Sequence, residues 1–172
     1  MAHFYAQLPE QITALSHREA VERYAVGAEV PGRAIAGLSP EQLNSFPIPG
    51  TWSIQQIVCH LMDTDLIASY RMKRIIAEDQ PRFDLYDENA FAVRLQYDKL
   101  SAERACDLFR ANRHMTADLL RHCPDDAFAR TGQHPEAGPM SLALLLRLYI
   151  HHLNHHLAFI HKKRALLSAP PP

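Results

Sequence analysis

Four segments of the chain carry apolar residues at intervals of three and four, and this helical periodicity constrains the fold more than any other feature. Each segment presents one apolar stripe that must be buried against another element, so four of them predict helices packed on helices. No segment shows the apolar–polar alternation between hairpin turns that marks a half-buried strand. The sequence therefore predicts an all-α four-helix bundle, with long helices at about residues 16–37, 53–78, 101–122 and 141–164.

Residues that start and stop helices support these bounds. Ser53, followed three residues later by Gln56, has the capping-box spacing and predicts the start of the second helix. The same spacing in residues 39–42, with proline at the first helical position, predicts a short turn of helix. Pro31 has no amide hydrogen and predicts an interruption of the first helix.

The periodicity also predicts which helix faces are buried. The first half of the fourth helix is apolar nearly all round, so we expect it to be the most buried helix. The predicted buried positions are Ile57, Leu61, Thr64, Ala68, Met72 and Ile75 on the second helix, and Leu108, Met115 and Leu119 on the third.

The connection between the second and third helices spans 22 residues, from 79 to 100. It is too long for a tight antiparallel hairpin, so it predicts a crossover that leaves these two helices parallel. Asp87 is placed to cap a short helix through Arg94 within it. Residues 134–139 after the third helix, rich in proline and glycine, predict a loop.

Composition excludes several classes of protein. The net charge of −1 and the lack of a basic stripe argue against nucleic acid and against an acidic membrane surface. The longest apolar stretch, residues 140–150, is interrupted by Arg147 and too short to span a bilayer. Three cysteines without metal-knuckle spacing predict reduced thiols in the cytoplasm. The first ten residues lack a basic and an apolar region, so no signal peptide is expected.

Length predicts a single domain. A chain of 172 residues has the size of one ordinary domain and buries a sizeable core without disulfides. We expect one helical-bundle domain over residues 1–172, with its core at about 16–166. The proline-rich end, residues 168–172, is expected to be frayed.

Histidine is the unusual component of this sequence. Eleven residues are histidine, and five of them lie between His151 and His161. His152 and His156 are four apart on the apolar stripe of the fourth helix, a spacing at which two imidazoles can hold one metal ion. A third ligand must come from a facing helix, and His60, at the border of the buried stripe of the second helix, is the candidate.

Neighbouring residues suggest supporting roles. Asp63, three residues after His60, could accept a proton from an imidazole or act as a base on metal-bound water. His151 and His155 lie about 100° to the side of the pair, so they are candidates for substrate contact, ligand support or solvent exposure. His134 in the predicted loop has no assigned role.

Non-functional interpretations compete with this one. Four histidines within six residues make a pair at helical spacing almost unavoidable, and a lone histidine such as His60 is more often a core or rim residue than a ligand. Cys59 points about 100° away from His60 and is better explained as a packed thiol. A plain helical interaction protein with incidental histidines is therefore one alternative.

Several motifs, taken in order, resemble those of a known family. The chain resembles the DinB-like superfamily and, within it, the YfiT-like metal-dependent hydrolases, from about Ser16 to Ile160. Cys59 departs from the pattern, because close relatives often have a second histidine there. The motifs that carry the resemblance are Pro49–Ser53, Ile57–Leu61 with Asp63, Tyr86–Glu88, His134–Glu136 and Tyr149–Ala158.

The resemblance implies a four-helix bundle with one divalent metal, nickel or zinc, held by His60, His152 and His156. It also implies a homodimer and a small-molecule substrate. Three neutral imidazoles leave the full charge on the ion, which lowers the pKa of bound water and holds a thiol as thiolate. The expected activity is therefore that of a hydrolase or of a transferase of low-molecular-weight thiols. The alternative is a non-catalytic bundle that binds metal or a small molecule.

Overall fold

The computed structural model describes residues 8–167, and the predicted frayed end at 168–172 lies outside them. Helices dominate the described chain. The α-helices are α1 (Glu10–Thr13), α2 (His17–Val26), α3 (Val30–Ile35), α4 (Pro40–Asn44), α5 (Ile54–Ala77), α6 (Glu88–Arg94), α7 (Ala102–Arg121) and α8 (Leu142–Leu166). Short 3₁₀ turns occupy Gly27–Glu29, Tyr97–Lys99 and Asp125–Ala129.

The predicted helix starts are confirmed by their caps. The Ser53 hydroxyl accepts a hydrogen bond from the Gln56 amide, and the Gln56 side chain accepts one from the Ser53 amide. Ser39 and Gln42 form the same box at α4. The predicted interruption of the first helix occurs at the 3₁₀ turn Gly27–Glu29, just before Pro31, which lies in the first turn of α3.

The long helices run in an up-down-down-up order. Gln55 contacts the Leu100 carbonyl and Asp65 contacts Asn112, so α5 and α7 run parallel, as the long crossover between them predicted. Helix α8 runs antiparallel to α5, because Thr51, before the start of α5, contacts Lys163 near the end of α8. This arrangement places the first half of α5 against the second half of α8. None of the described helices is both long and apolar enough to cross a membrane.

The predicted buried face of α7 is wrong. Leu108, Met115 and Leu119 are exposed, and 68% of the Met115 surface is accessible to solvent. The face that packs on the bundle lies on the other side of the helix and includes two polar residues, so counting large apolar residues selects the wrong side. That buried face consists of Ala102, Ala105, Cys106, Phe109, Arg113, Thr116, Ala117 and Leu120.

The segment predicted as a loop before α8 is a β-hairpin instead. Strands β1 (Thr131–His134) and β2 (Gly138–Ser141) pair antiparallel, with Gly138 in the left-handed region at φ 71°. The crossover segment adds to this hairpin, since Phe83 donates its amide hydrogen to Gln133 and Gln133 donates to Pro81. The strands are too short for sequence periodicity, and pairing with a distant segment stabilises them.

Candidate metal centre

Three histidine side chains from two helices meet inside the bundle. His60 lies in the second turn of α5 and is 2% exposed, while His152 and His156 lie four residues apart on α8. Nε2 of His152 lies 3.1 Å from Nε2 of His60 and 3.1 Å from Nε2 of His156. The three histidines selected from the sequence as candidate ligands therefore converge, with their ligand atoms within 4.8 Å of one another.

Nε2 of His152 takes part in both short contacts, and a cation suits this arrangement better than hydrogen bonds do. A neutral imidazole nitrogen carries either one hydrogen or one lone pair, so it satisfies at most one of the two contacts as a well-aligned hydrogen bond. Nitrogens about 2.1 Å from a metal lie about 3.0 Å apart at a right angle and about 3.4 Å apart at the tetrahedral angle. The observed separations of 3.1 Å fall in that interval.

Burial keeps these imidazoles neutral. It lowers the pKa of His60 to about 4 and, together with the neighbouring His60 and His155, the pKa of His156 to about 3. The pKa of His152 also falls well below its ordinary value, mainly through burial. Because metals bind the neutral ring, the cluster presents lone pairs without competition from protons near neutral pH.

Trp52 forms one wall of the cluster. Its ring centroid lies 4.7 Å from that of His60 and 6.4 Å from that of His156, with the second pair of rings only 9° from parallel. Trp52 is half-buried and directly precedes the N-cap of α5. The indole therefore packs beside both imidazoles and limits the orientations of their rings.

Asp63 contacts a tyrosine rather than an imidazole. Within residues 8–167, its hydrogen bond comes from the Tyr97 hydroxyl, which lies 2.5 Å from Oδ2. Burial and this bond raise the pKa of Tyr97, so the phenol remains a donor and the carboxylate an acceptor. Asp63 is half-buried and one turn after His60. Its role as a base remains a prediction.

Two further histidines of α8, His151 and His155, directly neighbour the candidate ligands in sequence. His155 is exposed, and its ring packs edge-on against His156 at a centroid distance of 5.2 Å. The same ring packs against Phe159 at 5.1 Å. His151 is half-buried, and burial lowers its pKa. These contacts place His155 at the rim, next to a candidate ligand.

Cys59 and His134 are not part of the cluster. Cys59 is fully buried with its thiol near the Tyr97 carbonyl, and burial raises its pKa to about 11, so it is a packed thiol as expected. His134 is buried in β1, where Nδ1 accepts hydrogen bonds from the amides of Glu136 and Ala137. Its contacts order the hairpin turn.

A second polar network lies beside the histidines, and the sequence interpretation missed it. Arg113 and Asp65 are each 1% exposed, and Nε of Arg113 donates to Oδ1 of Asp65 over 2.9 Å. Asn112 donates to Oδ2 over 2.8 Å, and the Tyr24 hydroxyl donates to the same carboxylate. Burial raises the pKa of Asp65, and these donors oppose the rise.

Arg113 links this network to the helix that carries two candidate ligands. Its Nη2 donates to the Tyr149 carbonyl, one turn before His152. Its guanidinium lies 4.2 Å from the Tyr24 ring centroid and 4.5 Å from that of Phe109. The network therefore connects α2, α5, α7 and α8. The sequence signal for this network is one acidic and one basic residue at core-facing positions of two helices. Helical periodicity alone predicts that such charged residues face solvent.

Comparison with known proteins supports the predicted family resemblance and fold. Residues 32–160 match the DinB superfamily. A "Putative metal-dependent hydrolase" of Oceanobacillus iheyensis is 33% identical over 126 residues, which cover 73% of each chain. One of the same description from Halalkalibacterium halodurans is 30% identical over 110 residues, 64% of each chain.

A solved structure agrees over nearly the whole chain. YfiT from Bacillus subtilis superposes with a TM-score of 0.83 at 25% identity, over 91% of this chain and 92% of YfiT. It is described as "a probable metal-dependent hydrolase with an unusual four-helix bundle topology". The match confirms the predicted fold class and the resemblance to YfiT-like proteins. With three quarters of its length matched to the family, this chain belongs to the DinB superfamily.

Proposed function

We propose that this protein is a metal-dependent hydrolase of a small molecule, with one divalent ion held by His60, His152 and His156. The observation that carries the proposal is the convergence of three imidazoles with their ligand atoms within 4.8 Å of one another, in which Nε2 of His152 lies 3.1 Å from Nε2 of both His60 and His156. The descriptions of the relatives as metal-dependent hydrolases support it. When bound, such an ion supplies Lewis acidity and lowers the pKa of a coordinated water or thiol.

The surrounding residues would bind, orient and hold protons. Three neutral histidines provide fewer ligands than zinc or nickel prefer, which leaves room for substrate. Trp52 would orient the rings of His60 and His156, against which it packs. Asp63, held at Oδ2 by the Tyr97 hydroxyl, keeps Oδ1 as an acceptor for a proton released during hydrolysis.

Elemental analysis of protein purified without a histidine tag tests the ligand set. We expect about one equivalent of divalent metal, lost in His152→Ala and retained in His161→Ala, which removes an exposed histidine from the same helix. Trp52 is the only tryptophan, so its fluorescence reports on the site directly. Equal metal content in the two variants would reject the proposal.

Transfer of a low-molecular-weight thiol to an electrophile is the second candidate. Cys59 and Cys106 are poor candidates for the nucleophile, because both are buried and burial raises the pKa of Cys59 to about 11 and that of Cys106 to about 12. The proposed transfer takes its nucleophile from a thiol cosubstrate. A screen of esters without thiol, against a chromogenic electrophile with several thiols, separates the two reactions.

A non-catalytic metal-binding bundle is the alternative from another class. It would hold metal without an exchangeable coordination position and would turn over none of these substrates. Water proton relaxation with a paramagnetic ion in the site distinguishes the cases, since an enzyme requires exchangeable water or substrate at the metal.

The metal and the oligomeric state are further proposals. Nickel and zinc both accept imidazole ligands, so we propose one of them as the resident ion. We also propose a homodimer, which the family resemblance implies. Metal analysis of the native protein and light scattering at several concentrations test these two points separately.

A further inference from the structure

The coil before α5 carries Trp52 to the histidine cluster and has few ties to the bundle. Residues 45–52 include Pro47 and Pro49, which cannot donate backbone hydrogen bonds. Within the described chain, the only side-chain hydrogen bond that joins residues 46–52 to another element is the one between Thr51 and Lys163. The position of the coil against α8 therefore depends on one polar contact and on packing.

Lys163 is an unusual residue for the end of a helix. Its surface is fully buried, and its Nζ lies 2.5 Å from Oγ1 of Thr51. Thr51 in turn donates its hydroxyl hydrogen to the Ile48 carbonyl over 2.8 Å, so the donors and acceptors form a consistent chain. A buried ammonium is costly without such a partner, which argues that this contact is specific.

The helical positions connect Lys163 to the candidate ligands. Lys163 follows His156 by seven residues, two turns further along the same face of α8. Thr51 directly precedes Trp52, whose ring contacts both His60 and His156. One residue of α8 thus holds the backbone from which the indole reaches the site.

We propose that Lys163 is a positioning residue: through its hydrogen bond to Thr51 it holds Trp52 against His60 and His156, and so sets the geometry of the metal-binding face. The inference rests on the proposed metal site. In this role Lys163 does not bind the metal itself; it acts on the site through the position of Trp52. Loss of the contact frees the coil, exposes the indole and leaves the imidazoles less restricted.

Fluorescence of the single tryptophan tests this proposal. Lys163→Met keeps the buried aliphatic stem and removes the donor, and we expect a red-shifted Trp52 emission with weaker quenching by Co²⁺. We also expect about tenfold weaker Co²⁺ binding, the lower end for loss of a residue that supports ligands. Lys162→Met, which removes an exposed neighbouring cation, is the control and should match the wild type.

Changes at Thr51 make the test independent of the lysine variant. Thr51→Val removes the acceptor and should show the same changes in emission and quenching as Lys163→Met. Thr51→Ser keeps the hydroxyl, so its emission and quenching should match those of the wild type. If Lys163→Met does not fold, the Thr51 pair decides. Wild-type emission and quenching in Thr51→Val or in folded Lys163→Met would overturn the proposal.

The outcome also separates this inference from the proposed function. Absence of Co²⁺ quenching in the wild type would reject the metal site. In that case a red-shifted emission in Lys163→Met would support the role of Lys163 in holding Trp52, and an unchanged emission would reject that role as well.

Discussion

Arg113 is a buried charged side chain that contacts residues of three other elements, Tyr24, Asp65 and Tyr149. It is almost fully buried, forms an ion pair with Asp65 and lies between the rings of Tyr24 and Phe109. A buried ion pair contributes little net stability compared with apolar packing, but loss of one partner leaves an uncompensated charge. We therefore expect the pair to contribute more to the choice of helix arrangement than to the net free energy of unfolding.

Replacement of Arg113 by methionine should be strongly destabilising. We expect Arg113→Met to lower the free energy of unfolding by about 3–5 kcal/mol, because Asp65 remains buried without its charged partner. The double variant Asp65→Asn/Arg113→Met should lose clearly less than the sum of the two single changes. Urea denaturation of all four proteins measures this coupling, and additive losses would contradict the assigned role.

Gly27 provides space for the same guanidinium. A Cβ atom at Gly27 would lie 2.6 Å from Nη1 of Arg113 and 2.8 Å from Cδ2 of Leu153. The backbone there is right-handed, with φ −64°, so an alanine would be disfavoured only by crowding.

We expect Gly27→Ala to lower the free energy of unfolding by about 1–3 kcal/mol, the range for overpacking. Gly32→Ala is the matched control, because its Cβ would lie 3.9 Å from the nearest atom, Cβ of Cys106. Gly32→Ala should leave the free energy of unfolding unchanged or raise it by roughly 0.4–1 kcal/mol, because alanine reduces the conformational entropy of the unfolded chain. Equal effects in thermal unfolding would refute the crowding argument.

At the scale of elements, the crossover and the hairpin stabilise each other. Gly132 in β1 faces Phe83 of the crossover, and Arg71 of α5 lies 5.3 Å from the Phe83 ring centroid. Arg71 also donates to the Asp84 carbonyl. Neither segment has an extended apolar pattern, so each depends on this mutual packing.

Gly132→Ala should disrupt this contact. Its Cβ would lie 2.3 Å from Cζ of Phe83, so the ring must move, and we expect a loss of about 1–3 kcal/mol in the free energy of unfolding. Phe83→Leu in the same chain should recover part of the loss, since a smaller side chain removes the clash. Chemical denaturation of the single and double variants provides the measurement; a double variant less stable than either single one would argue against the clash.

At the scale of the whole molecule, the histidine cluster joins two antiparallel helices far apart in sequence. An ion that binds only the folded state stabilises it by mass action, about 2.7 kcal/mol at one hundred times Kd. Excess Zn²⁺ should therefore raise the melting temperature, and a chelator should lower it. His152→Ala should abolish the response and His161→Ala should keep it. A response that persists in His152→Ala would place the ion elsewhere.

Local sequence signals predicted most of the helical architecture. Helix starts and interruptions depend on neighbouring backbone groups, as at the capping boxes of Ser39 and Ser53 and at Pro31. These features can therefore be predicted without knowledge of the tertiary structure. The long crossover also implied the parallel pair, because chain length limits how neighbouring helices connect. The spacing of His152 and His156 is likewise a property of one helix.

The tertiary structure decided what depends on partners distant in sequence. The buried face of α7 includes Arg113, because its pairing with Asp65 compensates the charge and allows this polar side chain in the core. The hairpin formed because the crossover supplied a third segment for it. The approach of His60 to His152, like the contact between Lys163 and Thr51, requires helix packing that no local periodicity specifies. The sequence alone therefore determined the helices and the candidate ligands, and packing decided which polar groups meet.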